Sequence, residues 1–329
     1  MNERLLDVKN LKISFQNKKG TVPVVDGVDF HIDRREIIGI VGESGCGKSV
    51  TAMSLLQLNA SNTVYGADSQ ILYEGEDLLK KSPKELRAIR GKEISVVFQD
   101  SLTGLDPVLP LRKIMVEAIR SHRNVSKREA LQESISMLAS VGIPAPEVRI
   151  NEYAHQLSGG MRQRVMIALA MLHHSHLLIA DEPTTALDVT IQDHILQLIK
   201  TVRDEADMSV LLITHDMGVV AEMTDRVYVM YAGHVVETGT TADIFEAPLH
   251  PYTKGLLKSI PRLDQPDNER LYSIPGSVPL PGTIRQGCRF CNRCPYATEK
   301  CRQQEPPAFR FSGKQVKCWQ YESVMEEFL

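Results

Sequence analysis

Eight residues constrain this chain more than any others. Gly42-Glu43-Ser44-Gly45-Cys46-Gly47-Lys48-Ser49 fits the pattern G-x-x-x-x-G-K-[ST] at every fixed position. The apolar run Ile37–Val41 before it predicts a buried strand, and Ser49–Leu56 after it opens a helix. Glycines let such a turn close tightly, so that successive backbone N–H groups point into one concavity. Unpaired donors and the positive end of a helix dipole together make a seat for phosphate. In that seat Lys48 reaches the terminal phosphates and the Ser49 hydroxyl ligates Mg²⁺. An ordinary Gly-rich turn explains the glycines but not the Lys-Ser pair. The chain is expected to bind a nucleoside triphosphate.

The rest of the chain supplies further elements in a recognisable order. Leu5–Val8, Leu11–Phe15, Pro23–Val25 and Val28–Ile32 read as short strands ahead of the loop, with Phe15 either a core aromatic or a stacking platform for an adenine ring. A hairpin near Ser69–Tyr73 and a basic helix at Lys84–Arg90 follow. Ile94–Phe98 reads as a strand ending at Gln99-Asp100. Beyond Pro107 and Pro110 the period turns helical, over Ile114–His122 and Lys127–Val141, so a mostly helical insertion follows Gln99. Leu157-Ser158-Gly159-Gly160 precedes a helix from about Met161 to Leu172. Ser158 suits an N-cap, and the two glycines expose backbone N–H groups as a second potential phosphate seat. Leu177–Ala180 is a buried strand delivering Asp181 and Glu182, and Pro183–Asp188 is a turn before a helix at Ile191–Glu205. Val210–Thr214 is another apolar run, ending at His215-Asp216. A helix at Met217–Met223 and strands Arg226–Tyr231 and His234–Glu237 close the pattern.

Strands separated by helices imply a parallel sheet, whose ligand site lies beyond the carboxyl ends of its strands. Four apolar runs end in Gly42–Ser49, Gln99, Asp181-Glu182 and His215. Each alone reads as a loop residue; together they read as one site. Hydrolysing a terminal phosphate needs a neutralised triphosphate, a held metal and an oriented water. Asp181 is placed to hold Mg²⁺ with Ser49, and Glu182 is the adjacent carboxylate left to take a proton from the attacking water. Gln99 can bridge metal and water, and His215 can hydrogen-bond the terminal phosphate. The Ser158-Gly159-Gly160 seat is expected to serve the nucleotide of a second copy or a similar partner, giving a head-to-tail pair with ATP between.

Size and composition set the bounds. At 329 residues with 43% hydrophobic content, the chain has material for about two domains. A formal charge of −3 gives no electrostatic case for nucleic acid. The longest apolar segment, Val165–Leu172, is far too short to span a bilayer, and Met1–Arg4 lacks the layout of a secretory signal. A cytosolic protein able to dock on a membrane protein is expected.

The set resembles the ABC ATPase cassette, over about residues 5 to 240: phosphate loop Gly42–Ser49, Q-loop Gln99, signature Leu157-Ser158-Gly159-Gly160-Met161, Walker B Leu177–Asp181 with Glu182, D-loop Asp188 and switch His215. The resemblance implies a P-loop α/β fold: a mostly parallel core sheet, an antiparallel β subdomain and a helical subdomain at about 100–171. It puts Phe15 at the adenine-stacking position and Glu182 at the catalytic-base position. Gly42, Glu43, Ser44, Gly45, Cys46, Gly47, Lys48, Ser49 and Val50 then contact ATP; Ser49, Gln99 and Asp181 serve Mg²⁺; Leu157, Ser158, Gly159 and Gly160 reach the partner's ATP, beside Asp188. Cys46 stands where Ser is common.

Beyond about residue 245 the composition changes. Prolines at 248, 251, 261, 266, 275, 279 and 281 punctuate a stretch expected to be a loop-rich extension (246–329) lying on a nucleotide-binding domain (1–245). Five of six cysteines fall in it: Cys288, Cys291, Cys294, Cys301 and Cys318. In a cytosolic chain, that clustering reads as metal ligation. Zinc needs four such ligands, whereas the C-x₂-C-x₂-C opening suggests iron–sulfur ligation, although the later spacing differs from the bacterial ferredoxin run. With His250-Pro251-Tyr252, the array resembles the C-terminal extension of oligopeptide/dipeptide ABC importer ATPases. That resemblance implies a 4Fe–4S cluster on Cys288, Cys294, Cys301 and Cys318, with Cys291 extra. It further implies a second ATPase subunit (sister or self), two transmembrane permease subunits and an extracytoplasmic peptide-binding protein, at the cytoplasmic face of a bacterial membrane. Related importers of nickel, opines or glycosides are the alternative substrate reading. A nucleic-acid-linked ABC ATPase would need a coiled-coil insertion, a second cassette or a basic face, none of which is seen.

Overall fold

A computed structural model describes residues 3–18, 20–99, 104–185, 188–261, 272–284, 286–311 and 313–323. Asp100, Pro266 and the turn residues Ala186 and Leu187 lie outside the described residues. Strands, in chain order, are β1 (Arg4–Asn17), β2 (Gly20–Asp33), β3 (Ile37–Val41), β4 (Thr63–Tyr65), β5 (Gln70–Tyr73), β6 (Glu76–Asp77), β7 (Ile94–Val97), β8 (Leu177–Asp181), β9 (Ser209–Thr214), β10 (Arg226–Tyr231), β11 (His234–Thr240), β12 (Phe309–Phe311) and β13 (Lys314–Val316). The chain falls into two compact units.

The first unit comprises residues 1–33, 37–80 and 213–329. Its antiparallel sheet has the order β2-β1-β5-β6, with β4 also on β1. The four short strands expected at the N-terminus are in fact one long hairpin, with register shifts from Arg4 to Ser14 that let the pairing continue past Asn10 and Gly27. Inward residues Leu6, Val8, Leu11 and Ile13 are buried throughout. In the same unit β3 pairs in parallel with β10, Ile38 opposite Arg226 and Val41 opposite Val229. β10 and β11 form an antiparallel pair turning at Ala232-Gly233.

The C-terminal extension is loop-rich, as expected, and it also carries short strands and helices. β13 pairs antiparallel with β11, and β12 with β13, so the tail adds two short strands beside the core sheet. Pro251 begins the helix Pro251–Lys258 rather than breaking one, because the first helical position needs no N–H donor. His250 caps that helix, its Nδ1 accepting the Tyr252 N–H at 3.0 Å. Buried Glu237 on β11 accepts the Leu249 and His250 N–H groups at 2.6 and 2.8 Å. Tyr252 and Phe290 enter one apolar cluster with Val41, Val220, Val229 and Tyr231. The extension is thereby part of this unit's core.

The second unit comprises residues 34–36 and 81–212. β7 and β8 pair in parallel, Ile94 opposite Leu177 and Val97 opposite Ala180. Helices run over Pro83–Ile89, Leu111–His122, Lys127–Ser140, Pro146–Arg149, Gly159–Met171 and Val189–Ala206. Ser82 and Ser126 start two of them with reciprocal capping boxes to Glu85 and Glu129. From Val165 to Ala170 the Gly159–Met171 helix is buried or half-buried on every side, as its uniformly apolar sequence predicts.

Candidate active site

In the first unit the phosphate loop joins fully buried β3 to the helix Lys48–Ser54. Gly42, Gly45 and Gly47 have φ of 153°, 80° and 104°, which side-chain-bearing residues rarely adopt. At Gly42 a Cβ would lie 2.2 Å from the Met230 carbonyl oxygen, so the backbone passes β10 too closely for any side chain. The Lys48 ammonium is 2.8 Å from the Gly42 carbonyl and 3.2 Å from that of Glu43, and donates to both. It is thus buried at the mouth of the turn, 4% exposed, with its charge directed by the loop. Ser49 and Val50 are half-buried at the helix start, and Ser44 is exposed. Burial pushes the Cys46 thiol up, which keeps it neutral in the loop. Phe15 is half-buried on β1, opposite Val22 and Thr63. His215 follows β9 and is exposed; its neighbour Asp216 caps the helix Met217–Met223 through the Gly218 and Val219 N–H groups.

The second unit carries the carboxylates. Asp181 ends β8 at 5% exposure, and Glu182 follows at 9%. Gln99 Nε2 and Thr185 Oγ1 both donate to Glu182 Oε2 at 2.9 Å. These two neutral donors orient the carboxylate. Glu182 also holds φ of 45°, a strained conformation for a residue with a side chain. Of the expected residues, the structure brings Gln99 and Glu182 together, and it adds Thr185, which the sequence reading missed. No spacing signal marks Thr185 beyond its place three residues after Glu182.

The signature segment lies where its glycines predict. Ser158 is the N-cap of Gly159–Met171, its hydroxyl accepting the Met161 N–H at 3.3 Å. Leu157 is buried, Ser158 exposed and Gly159 half-buried. At Gly160 a Cβ would meet Ile191 Cγ2 at 2.9 Å, so the glycine permits this helix to approach Val189–Ala206. Asp188 is exposed and caps the latter helix, accepting the Ile191 N–H at 2.9 Å.

A buried strand feeding a glycine-lined turn with an inward lysine, and a strained carboxylate after a strand-end aspartate, are the parts of a P-loop ATPase. The chain belongs to the ABC transporter family, whose model matches residues 25–185. A second model, the C-terminal region of oligopeptide/dipeptide transporters, matches residues 236–301. The chain is 49% identical over 319 residues to the oligopeptide transport ATP-binding protein AppD of Bacillus subtilis, covering 97% of each. It is 48% identical to OppD of the same organism, covering 96% of this chain and 88% of OppD. Among solved structures, the ATP-binding cassette MJ0796, a dimer bound to ADP and Pi, matches with a TM-score of 0.65 at 25% identity, covering 72% of this chain and 99% of that one. The expected cassette fold is therefore borne out, and ATP hydrolysis is the activity of this family.

The expected metal cluster is not. Cys288, Cys291, Cys294, Cys301 and Cys318 are free thiols. Among the described residues no group of three or more His, Cys, Asp or Glu side chains is arranged to hold a metal ion. All five cysteines line one cavity of only about 20 Å³, walled also by Phe290 and Trp319. Burial pushes the Cys288 and Cys318 thiols up to about 12 and 11. The iron–sulfur expectation, with Cys291 as an extra ligand, and the zinc alternative are both withdrawn. Clustering in sequence brings the five thiols to one apolar-walled cavity.

Proposed function

We propose that the chain is the ATP-hydrolysing subunit of an importer of di- and oligopeptides, a translocase of class EC 7.4.2.-. The observation carrying this reading is the match of residues 236–301 to the oligopeptide/dipeptide transporter C-terminal region, which sets the chain apart from other cassettes. Near-full-length similarity to AppD and OppD supports it over a nickel, opine or glycoside importer. The nucleotide-binding domain spans about 1–245 and the extension 246–329. No helix among the described residues is long and apolar enough to cross a membrane, consistent with a peripheral subunit on the cytoplasmic face beneath two transmembrane permease subunits. An extracytoplasmic binding protein would deliver the peptide.

In this reading the backbone of Gly42–Ser49 and the Lys48 ammonium neutralise the β- and γ-phosphates, while Phe15 stacks on adenine. Ser49, Asp181 and Gln99 would hold Mg²⁺, which supplies charge neutralisation on the triphosphate. Glu182, aimed by Gln99 and Thr185, accepts the proton of the attacking water. His215 hydrogen-bonds the γ-phosphate. Leu157, Ser158, Gly159 and Gly160 present helix N–H groups to the partner's ATP, with Asp188 beside them, so two cassettes (sister or identical) close head to tail on two nucleotides. Hydrolysis opens the pair, and that motion drives the permeases.

Proteoliposomes containing the chain with its permeases and binding protein test this. ATP-dependent uptake of a labelled tripeptide, abolished by Lys48→Ala, is the expected result. Uptake of Ni²⁺ or a glycoside but of no peptide would overturn it.

A further inference from the structure

The extension is fastened to the back of the phosphate loop by side chains that neither the motif nor the transport reading uses. Arg293 forms a bidentate pair with Glu43, Nη1 to Oε2 at 2.7 Å and Nη2 to Oε1 at 3.0 Å. Its side chain is only 5% exposed, and Nε is committed to the Pro275 carbonyl at 2.8 Å. The guanidinium lies 5.8 Å from the centre of the Tyr231 ring, which itself packs edge-on against Tyr252 and Phe290. Fully buried Tyr252 completes the hold, its hydroxyl accepting the Glu43 N–H at 2.8 Å.

One residue of the loop is therefore gripped at three points. The extension takes the carboxylate and N–H of Glu43, while its carbonyl receives the Lys48 ammonium. A second tether runs from Arg289 of the same Cys-rich loop, which donates to Asp26 at 3.0 Å and to His234 at 2.9 Å. The adjacent Gly233 N–H donates to the Cys46 carbonyl inside the phosphate loop. Turning the Gly42–Glu43 peptide would break the Tyr252 bond and move the Gly42 carbonyl that directs Lys48.

We propose that Arg293 and Tyr252 are positioning residues for the nucleotide: through Glu43 they hold the phosphate loop and Lys48 in binding geometry, making ATP affinity depend on the C-terminal extension. This rests on Gly42–Ser49 being the nucleotide seat. Neither residue touches the phosphates; each acts through Glu43.

The test is equilibrium binding of the fluorescent nucleotide mant-ADP with Mg²⁺ to the full chain, run beside thermal unfolding. Arg293→Gln weakens binding about tenfold, the loss expected for one charge-assisted contact. Arg293→Lys recovers part of it, and Tyr252→Phe, which removes only the hydroxyl acceptor, weakens binding about threefold. The Glu43→Gln and Arg293→Gln losses fail to add in the double variant, because both act on one contact. Arg293→Gln and Tyr252→Phe within twofold of wild type, or simple additivity in the double variant, would overturn the proposal. Should Arg293→Gln not fold, Tyr252→Phe decides alone on the same criterion. A wild-type chain that binds no mant-ADP would instead sink the nucleotide reading beneath it.

Discussion

Gly42→Ala measures how tightly the phosphate loop is built into its unit. The new Cβ would sit 2.2 Å from the Met230 carbonyl oxygen and 3.0 Å from Cys46 Sγ, at φ of 153°. Forcing a side chain into that conformation costs about 1–3 kcal/mol. Overpacking against a backbone atom held in the β10 ladder adds about 1–3 kcal/mol. The sum, about 2–6 kcal/mol, should lower the thermal midpoint by roughly 10 °C. Gly45→Ala is the matched control: φ is 80°, but nothing lies within 4 Å of its Cβ. Only the left-handed backbone penalty applies there, about 1–2 kcal/mol, or roughly 3 °C. Circular dichroism melts of both variants beside wild type supply the numbers. Equal shifts in the two variants, or none at Gly42→Ala, would show that the close approach to β10 does not govern this loop.

Three further outcomes follow from named contacts. Thr185→Ala removes a donor to Glu182 Oε2 and should lower the ATPase kcat several-fold with mant-ADP affinity unchanged. His250 is buried against Phe290, its Nδ1 accepts the Tyr252 N–H, and burial followed by the Lys254 charge lowers its pKa to about 3. Unfolded, it titrates near 6.5, so its contribution to stability is complete above that pH and declines as pH falls toward 3. Urea denaturation at pH 5 should therefore show about 2 kcal/mol less pH-dependent loss for His250→Asn than for wild type. Leu157 and Gly160 are buried while Ser158 is exposed, so Ser158→Arg should cost about 1 kcal/mol for the lost cap, keep the fold and single-chain nucleotide binding, and abolish ATP-dependent pairing, read by sedimentation velocity.

Local chemistry made the motifs readable. The glycine turn, the Ser158 cap and the strand end at Asp181 each declare themselves within ten residues, where periodicity and capping rules operate. The N-terminal hairpin was broken into four pieces because its bulges interrupt strand alternation, although the ladder itself continues. Pro251 looked like a breaker and is a helix starter. The tie between Arg293 and Glu43 joins residues 250 apart, a separation at which no pattern in one sequence signals contact. The cysteines mislead for a related reason: proximity along the chain suggests ligation, but whether side chains converge on an ion depends on packing, and among the described residues no such group forms.

ATP-dependent pairing of the Glu182→Gln variant tests the central claim most directly. With water activation removed and both nucleotide seats intact, sedimentation velocity in MgATP should show a stable pair retaining ATP, while wild type turns ATP over and separates. A Glu182→Gln chain that stays single in MgATP and hydrolyses it at the wild-type rate would contradict the account.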